Sequence, residues 1–148
     1  MGLRRVAIKV MGRSHRAVYR LSRGRLLGRV AGMPVLLLTT TGRRSGLART
    51  TPLTYFEVGD ELVIVASNGG EERAPAWWLN LREHPQATIT IGVRSHSVTA
   101  REATDEEHDR LWPMITATYP GYAAYAGRTT RPIPVVLLGR TKENAPNR

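Results

Sequence analysis

Hydrophobic residues recur with two different periods along the 148-residue chain, and the change falls near Pro34. Before it, apolar residues follow helical spacing, and most of the positions between them carry arginine or lysine. This pattern predicts a basic amphipathic helix over residues 3–22. We therefore divide the chain into an N-terminal helix and linker, residues 1–30, and a folded domain, residues 31–148.

After Pro34, short runs rich in β-branched residues alternate with turn residues, which is typical of strands. Helical patterns return over Ala76–Glu83 and from Thr104 towards Thr118, where the sequence begins with capping-box spacing. The predicted strands are Pro34–Thr40, Arg49–Glu57, Glu61–Ser67, Gln86–Gly92, Ser95–Arg101 and Ile133–Leu138. Six strands joined by short turns, with inserted helices, predict an α+β fold, a small barrel or strongly bent sheet.

Composition limits the chemistry that this domain can perform. The chain has no cysteine, which excludes disulfides, thiolate catalysis and Cys-ligated zinc and is compatible with a cytoplasmic location. The four histidines lack metal-ligand spacing, so we expect no metal site. No serine elbow or paired acid and base is present, and a redox reaction carried by a bound cofactor therefore fits better than hydrolysis.

Positive charge is concentrated in the first part of the chain. Residues 1–56 contain 12 of the 22 lysines and arginines, and the first acidic residue is Glu57. Such asymmetry indicates a polyanionic partner: nucleic acid, a membrane surface or a multiply charged small molecule. The usual nucleic-acid recognition motifs are absent, so we expect no nucleic-acid partner. Residues 1–30 either contact anionic lipid at the inner face of the membrane or pack on the domain, and the sequence leaves both open.

Three segments combine residue types that suit ligand binding. Residues 39–46 join two strands and place two arginines, a serine and two glycines in a turn, a suitable cradle for an oxyanion. Residues 67–70 follow the most hydrophobic strand, where glycine lets a ligand approach the backbone. Tyr119, Tyr122 and Tyr125 would form an apolar wall with hydroxyl tips, suited to a flat quinone-like ligand. Ordinary turns and packing explain each segment as well when it is taken alone.

Taken together and in one register, these motifs resemble the deazaflavin-dependent nitroreductase family of actinobacteria. The resemblance covers about residues 34–138 and includes Thr39-Thr40-Thr41-Gly42-Arg43-Arg44-Ser45-Gly46, Pro52-Leu53, Ser67-Asn68-Gly69-Gly70, Pro75-Ala76-Trp77-Trp78-Leu79-Asn80, Tyr119-Pro120 and Ile133-Pro134. It implies a split β-barrel of the FMN-binding type. It also implies coenzyme F420, an 8-hydroxy-5-deazaflavin with a phosphate and an oligoglutamate tail, and hydride transfer to a quinone or nitroaromatic acceptor.

The resemblance further implies which residues form the site. The family's cofactor contacts fall on Arg43, Arg44, Ser45, Arg49, Thr50, Thr51, Pro52, Leu53, Thr54, Val65, Ala66, Ser67, Asn68, Ala76, Trp77, Trp78, Leu79, Asn80 and Tyr122. The arginines are expected to neutralise the anionic tail, and the ring is expected near Ser67 and the two tryptophans, one facing the core and the other a pocket. The residues expected to act in catalysis are Ser67, Tyr119, Tyr122 and Tyr125.

Two positions depart from the family's pattern. Asn68 stands where the nitroimidazole-activating relative has lysine, and Thr54 replaces an aromatic residue, so nitroimidazoles are less expected than quinones. FMN in the same barrel is the nearest alternative cofactor, although it lacks the long anionic tail. A basic protein that binds nucleic acid or a membrane surface is the alternative from a different class.

Overall fold

The computed structural model describes residues 29–30 and 33–141, with side chains from Met33 onward. The strands in this part of the chain are β1 (Arg29–Val30), β2 (Met33–Thr41), β3 (Ala48–Thr54), β4 (Phe56–Val58), β5 (Glu61–Val65), β6 (Gln86–Ile91), β7 (Arg94–Glu102) and β8 (Val135–Arg140). The helices are α1 (Ala76–Glu83), α2 (Asp105–Thr118) and α3 (Gly121–Gly127). The predicted helix over residues 3–22 lies outside the described residues.

Both predicted helices of the domain are present, and α2 has the predicted capping box. Thr104 accepts a hydrogen bond from the Glu107 amide at 3.2 Å, and the Glu107 carboxylate accepts one from the Thr104 amide at 3.1 Å. Because these bonds satisfy amides that have no partner inside the helix, they fix where α2 begins.

The predicted strand Arg49–Glu57 is two strands, because the chain changes its pairing partner at Tyr55. Up to Thr54 it pairs with β2, and the Tyr55 amide still donates to Pro34 O at 3.2 Å. From Phe56 onward it pairs with β5. Alternation of apolar and polar residues continues through this corner, so the sequence pattern does not mark it. The two-residue strand β1 was also not predicted.

All strand pairs are antiparallel, and the corner at Tyr55 closes the sheet on itself. From β2 the sheet runs through β6, β7, β8 and β5 to β4, while β3 pairs with the other side of β2. The outermost strands β3 and β4 are therefore consecutive in the chain and joined through a single residue. A sheet whose two edges are connected in this way must curl into a barrel.

One strand pair of this barrel, β5 and β8, is buried on both faces. Ile64 and Val136 pack in one core with Trp77 of α1, and the alternate residues of the same strands pack in a second core with α2 and α3. Full burial of each aliphatic side chain contributes about 1.5–3 kcal/mol. Burial on both faces explains why these two segments are continuous apolar runs rather than alternating ones.

After β5 the chain forms a tight turn, residues 67–70, which we call the Ser67 turn. Its residues Asn68, Gly69 and Gly70 have φ values of +48°, +65° and +82°. Gly70 packs against α3 so closely that a Cβ atom there would lie 2.8 Å from Tyr125 O and 3.0 Å from Tyr125 Cα. Glycine is therefore required at this position both by backbone conformation and by space.

We predict that Gly70→Ala lowers the free energy of unfolding by roughly 2–4 kcal/mol, because the overlap with Tyr125 adds to the strain of a positive φ. Gly69→Ala is the matched control, since its φ is also positive but nothing lies within 4 Å of the added Cβ. It should cost only about 1 kcal/mol. Urea unfolding of both variants measures the difference, and equal losses would show that contact with α3 does not matter.

Candidate active site

A cavity of about 580 Å³ lies between β3, the Ser67 turn, the start of α1 and α3. This volume falls in the range of small-molecule sites. None of the lining residues is acidic or basic. The predicted site residues that line it are Thr51, Pro52, Leu53, Thr54, Val65, Ser67, Asn68, Ala76, Trp77, Tyr119, Tyr122 and Tyr125.

The remaining predicted residues lie outside the cavity lining. They are Arg43, Arg44, Ser45, Arg49, Thr50, Ala66, Trp78, Leu79 and Asn80. Ala66, Trp77 and Trp78 are all buried in the barrel core, but of the two adjacent tryptophans only Trp77 also lines the cavity. The arginines lie in the hairpin between β2 and β3.

Ser67 provides a buried polar group at the cavity wall. Ser67 lines the cavity and is only 7% exposed. The Ser67 backbone carbonyl has partners, but its hydroxyl has none among residues 33–141. A buried hydroxyl without a partner costs free energy, so it is a group that a ligand could satisfy.

Asn68 is one of the two positions that depart from the family's pattern. Its side chain bonds residues that follow the Ser67 turn. The amide nitrogen donates to Arg73 O at 2.8 Å and to the Glu71 carboxylate at 3.3 Å. Asparagine also tolerates the positive φ of this position better than most residues. The side-chain amide thus stabilises the turn, while the residue still borders the cavity.

The hairpin of residues 41–49 between β2 and β3, which we call the arginine hairpin, is fixed to α1 by a buried amide. Asn80 is 4% exposed and donates to the hydroxyl of the equally buried Thr40 at 3.1 Å. Its carbonyl oxygen accepts from the Arg43 backbone amide at 3.1 Å and from the Arg43 guanidinium at 3.4 Å. The Asn80 side chain therefore fixes the position of Arg43 relative to α1.

The arginine hairpin places positive charge next to the uncharged cavity. Arg49 lies on β3 two residues before Thr51, which lines the cavity, so their Cα atoms are about 7 Å apart. Arg44 and Arg49 are exposed, and Arg43 is partly buried. Since no acidic residue occurs between residues 33 and 56, this end of the cavity attracts anions.

Three tyrosines form the opposite wall, which we call the tyrosine wall. Tyr122 on α3 is buried and makes edge-to-face contacts with Tyr119, at 5.1 Å between ring centroids, and with Tyr125, at 6.0 Å. The Tyr122 hydroxyl forms a 2.7 Å hydrogen bond with the hydroxyl of Thr54. The second departure from the family's pattern therefore provides a partner for this phenol.

Both α3 phenols are held in the protonated form. Burial raises the pKa of Tyr122 above its ordinary value, and the hydrogen bond from Thr54 offsets this only in part. The pKa of Tyr125 is raised first by its hydrogen bond with the Tyr119 hydroxyl and second by burial. At neutral pH these groups are neutral hydrogen-bond donors.

Four further residues complete the cavity lining. Gly69 and Pro75 belong to motifs that the sequence marked, whereas Met33 and Val35 at the start of β2 belong to none. Met33 and Val35 lie on the same face of β2. Alternation along the sequence predicts this shared face, but it does not predict that the face borders the cavity. Within residues 33–141 no cluster of acidic and histidine side chains could hold a metal ion. In the same residues, no helix has the length and apolar character needed to cross a bilayer.

Comparison with known proteins gives one consistent result. Residues 10–140 match the family model described as F420H(2)-dependent quinone reductase. An F420H(2)-dependent quinone reductase of Mycobacterium tuberculosis is 42% identical over 141 residues, which cover 93% of this chain and 94% of that protein.

Solved structures agree with this result. An F420-H2-dependent reductase, FDR-A, is 37% identical with a TM-score of 0.64, over 71% of this chain and 93% of that chain. The haem storage protein HutZ of Vibrio cholerae, 10% identical with a TM-score of 0.54 over 73% of this chain and 82% of its own, shares the fold alone.

The predicted split β-barrel is confirmed by the likeness to FDR-A, and coenzyme F420 rather than FMN is confirmed as the cofactor by the family match. The chain belongs to the family of F420H(2)-dependent quinone reductases and is an oxidoreductase that uses coenzyme F420.

Proposed function

We propose that the chain transfers a hydride from reduced coenzyme F420 to a quinone or a flat nitroaromatic acceptor, and that the described cavity is the place of transfer. The observation that carries this proposal is the contrast between the uncharged cavity lining and the positive charge beside it. The tyrosine wall and a buried Ser67 hydroxyl, which has no partner among residues 33–141, border an uncharged space, and the hairpin with three arginines adjoins it through β3.

The residues present fit the coenzyme in shape and in charge. Its deazaflavin ring is flat and suits the uncharged cavity, where Trp77 and the Ser67 hydroxyl offer an apolar surface and a hydrogen bond. Its phosphate and oligoglutamate tail carries several negative charges and suits the arginine hairpin. FMN would share the flat tricyclic shape of the ring and the phosphate but would leave much of this positive charge unused.

We assign the cofactor half of the site to three segments. Arg43, Arg44 and Arg49 would hold the anionic tail, with Ser45 and Thr50 beside them. Residues 51–54 and 65–68 would form the bed of the ring. Ala76 and Trp77 begin α1, where backbone N–H groups lack partners within the helix and favour a negative group.

Some of the expected cofactor residues would act indirectly. Asn80 would position Arg43 through its buried amide. Ala66, Trp78 and Leu79 would support the bed from the core side. This division between direct and indirect roles explains why residues of one motif differ in how exposed they are to solvent.

The acceptor half is assigned to the tyrosine wall. When bound, the reduced coenzyme supplies a hydride. The chain orients the acceptor by flat contact with the rings, excludes water and donates hydrogen bonds to the oxygen that gains charge. The Tyr122 hydroxyl already bonds Thr54, and the Tyr119 and Tyr125 hydroxyls bond each other, which leaves one free O–H in that pair. This O–H and that of Ser67 are the donors we expect at the acceptor. Hydride and one proton convert a quinone to the quinol.

We also propose that residues 1–30 bring the enzyme to anionic membranes, where apolar quinones are concentrated. Nine of the lysines and arginines lie in this segment, which has no acidic residue. Full-length protein should sediment with phosphatidylglycerol vesicles and not with phosphatidylcholine vesicles. Deleting residues 1–28 should abolish sedimentation while leaving cofactor affinity unchanged, and a truncated protein that still sediments would refute the proposal.

Arg43→Ala should weaken binding of coenzyme F420 by about 1–3 kcal/mol, roughly fivefold to 150-fold, because a charge-assisted bond to the tail is lost. Fluorescence titration of the purified protein measures this. Arg94→Ala is the control, since Arg94 is exposed and its side chain has no hydrogen-bond partner in the described part of the chain. FMN titrated in parallel should bind more weakly than coenzyme F420. If the two variants had equal affinities for coenzyme F420, the arginine hairpin would not be part of the cofactor site.

Tyr125→Phe should lower kcat for menadione reduction by about tenfold or more, because one hydrogen-bond donor to the developing charge is lost. The affinity for coenzyme F420 should stay unchanged, since the ring of residue 125 remains in place. Steady-state kinetics together with cofactor titration separate the two effects. An unchanged kcat, or a loss of cofactor affinity instead, would contradict the assignment of Tyr125 to the acceptor half.

A further inference from the structure

Arg131, which follows α3 and lies outside the cavity, makes an unusual set of contacts. Its Nη2 donates to Ser67 O at 2.8 Å, its Nη1 to Ala66 O at 3.2 Å, and its Nε to Glu71 O at 2.9 Å. A weaker bond at 3.4 Å reaches Pro132 O. The hydrogen bonds of this guanidinium therefore go to backbone carbonyls on both sides of the Ser67 turn.

The Ser67 carbonyl also accepts from the Gly70 amide at 2.9 Å, but the Ala66 and Glu71 carbonyls accept only from Arg131 among residues 33–141. They lack strand partners because the ladder ends just before this turn. The last pair of β5 with β8 is Val65 with Val135, and the Ala66 amide still donates to Pro134 O at 3.0 Å. Beyond that point the turn leaves the sheet, and among the described residues no strand pairs with it. The guanidinium of Arg131 donates the hydrogen bonds that a neighbouring strand would otherwise supply. It can do so because its planar fork presents several donors in a fixed arrangement.

The turn held by Arg131 has a conformation that it would not keep by itself. Asn68 is a non-glycine residue with a positive φ, and two glycines with positive φ follow it. Such backbone persists only where the surrounding structure fixes it. One side is fixed by α3, which touches Gly70, and the other side by the guanidinium.

The same turn carries the cavity wall. Ser67, Asn68 and Gly69 all line the cavity, and the Ser67 hydroxyl is the buried polar group without a partner among the described residues. A shift of this backbone by one ångström would move that hydroxyl relative to any ring bound beside it. Displacements of this size from remote substitutions reduce rates by about a hundredfold in enzymes that depend on alignment.

We propose that Arg131 is a positioning residue for the reaction: its fork fixes the Ser67 turn in the conformation that receives the deazaflavin ring and aligns it with the acceptor. This inference rests on the proposed function of the cavity. It assigns a role to a residue that touches neither the cavity nor the arginine hairpin.

A second contact between the same two segments provides a control. The Glu72 carboxylate accepts hydrogen bonds from the Thr130 amide at 3.1 Å and from the Thr130 hydroxyl at 3.2 Å. The first of these bonds holds the pKa of Glu72 below its ordinary value. Glu72 is exposed and does not line the cavity, so its removal loosens the same junction but leaves the Arg131 bonds to Ala66, Ser67 and Glu71 in place.

The test compares Arg131→Lys, Arg131→Gln, Glu72→Ala and Arg94→Lys. Lysine keeps the charge but loses the fork. In both Arg131 variants, the dissociation constant for coenzyme F420 should rise and kcat at saturating cofactor should fall, each by about tenfold or more. The KM for menadione should not change. Glu72→Ala and Arg94→Lys should stay within about twofold of the parent protein in both quantities, as surface substitutions generally do.

Thermal unfolding, measured on each variant, distinguishes positioning from a purely structural role. If the Arg131 variants lose only melting temperature, as Glu72→Ala does, and keep dissociation constant and kcat within about twofold, the inference is wrong. If Arg131→Gln does not fold, Arg131→Lys decides, and failure of both to fold would assign Arg131 a structural role instead. Failure of the parent protein to bind coenzyme F420 would instead overturn the proposed function.

Discussion

The pairing of β5 with β8 between two hydrophobic cores is the contact on which the candidate site depends. Both strands are buried on both faces, so their register is fixed by side chains from α1 on one side and from α2 and α3 on the other. The Ser67 turn begins where this pairing ends. Its place between α1 and α3 is therefore set by a strand pair that is buried on both faces rather than by the turn itself.

From this anchored turn, the site divides into parts with different physical character. The cavity walls are uncharged, while positive charge lies outside them on the arginine hairpin. A ligand with a flat neutral portion and a polyanionic extension is complementary to this arrangement, and coenzyme F420 has that structure. The protonated tyrosines complete the space on the far side without adding charge, which suits a neutral quinone.

Local patterns in the sequence predicted most of the fold. The apolar runs gave the central strands, and the capping box at Thr104 located the start of α2. The corner at Tyr55 could not be found this way, because alternation continues through it and only the change of partner strand reveals it.

Sequence patterns predict less of the site than of the fold. The motifs identified the turn, the hairpin and the tyrosines, but the contacts that join them link residues far apart in sequence. Asn80 holds Arg43, Tyr122 bonds Thr54, and Arg131 holds Ser67. Since hydrogen bonds over such separations leave no local spacing, only the folded structure shows which side chains face the cavity and which position others.

The most direct measurement of the central claim is a crystal structure of the protein with coenzyme F420. We expect density for the tricyclic ring in the cavity, against the Ser67 turn and Trp77, and density for the phosphate and glutamates along the arginine hairpin. A ring bound elsewhere on the barrel, or a tail that leaves away from Arg43 and Arg49, would contradict the account.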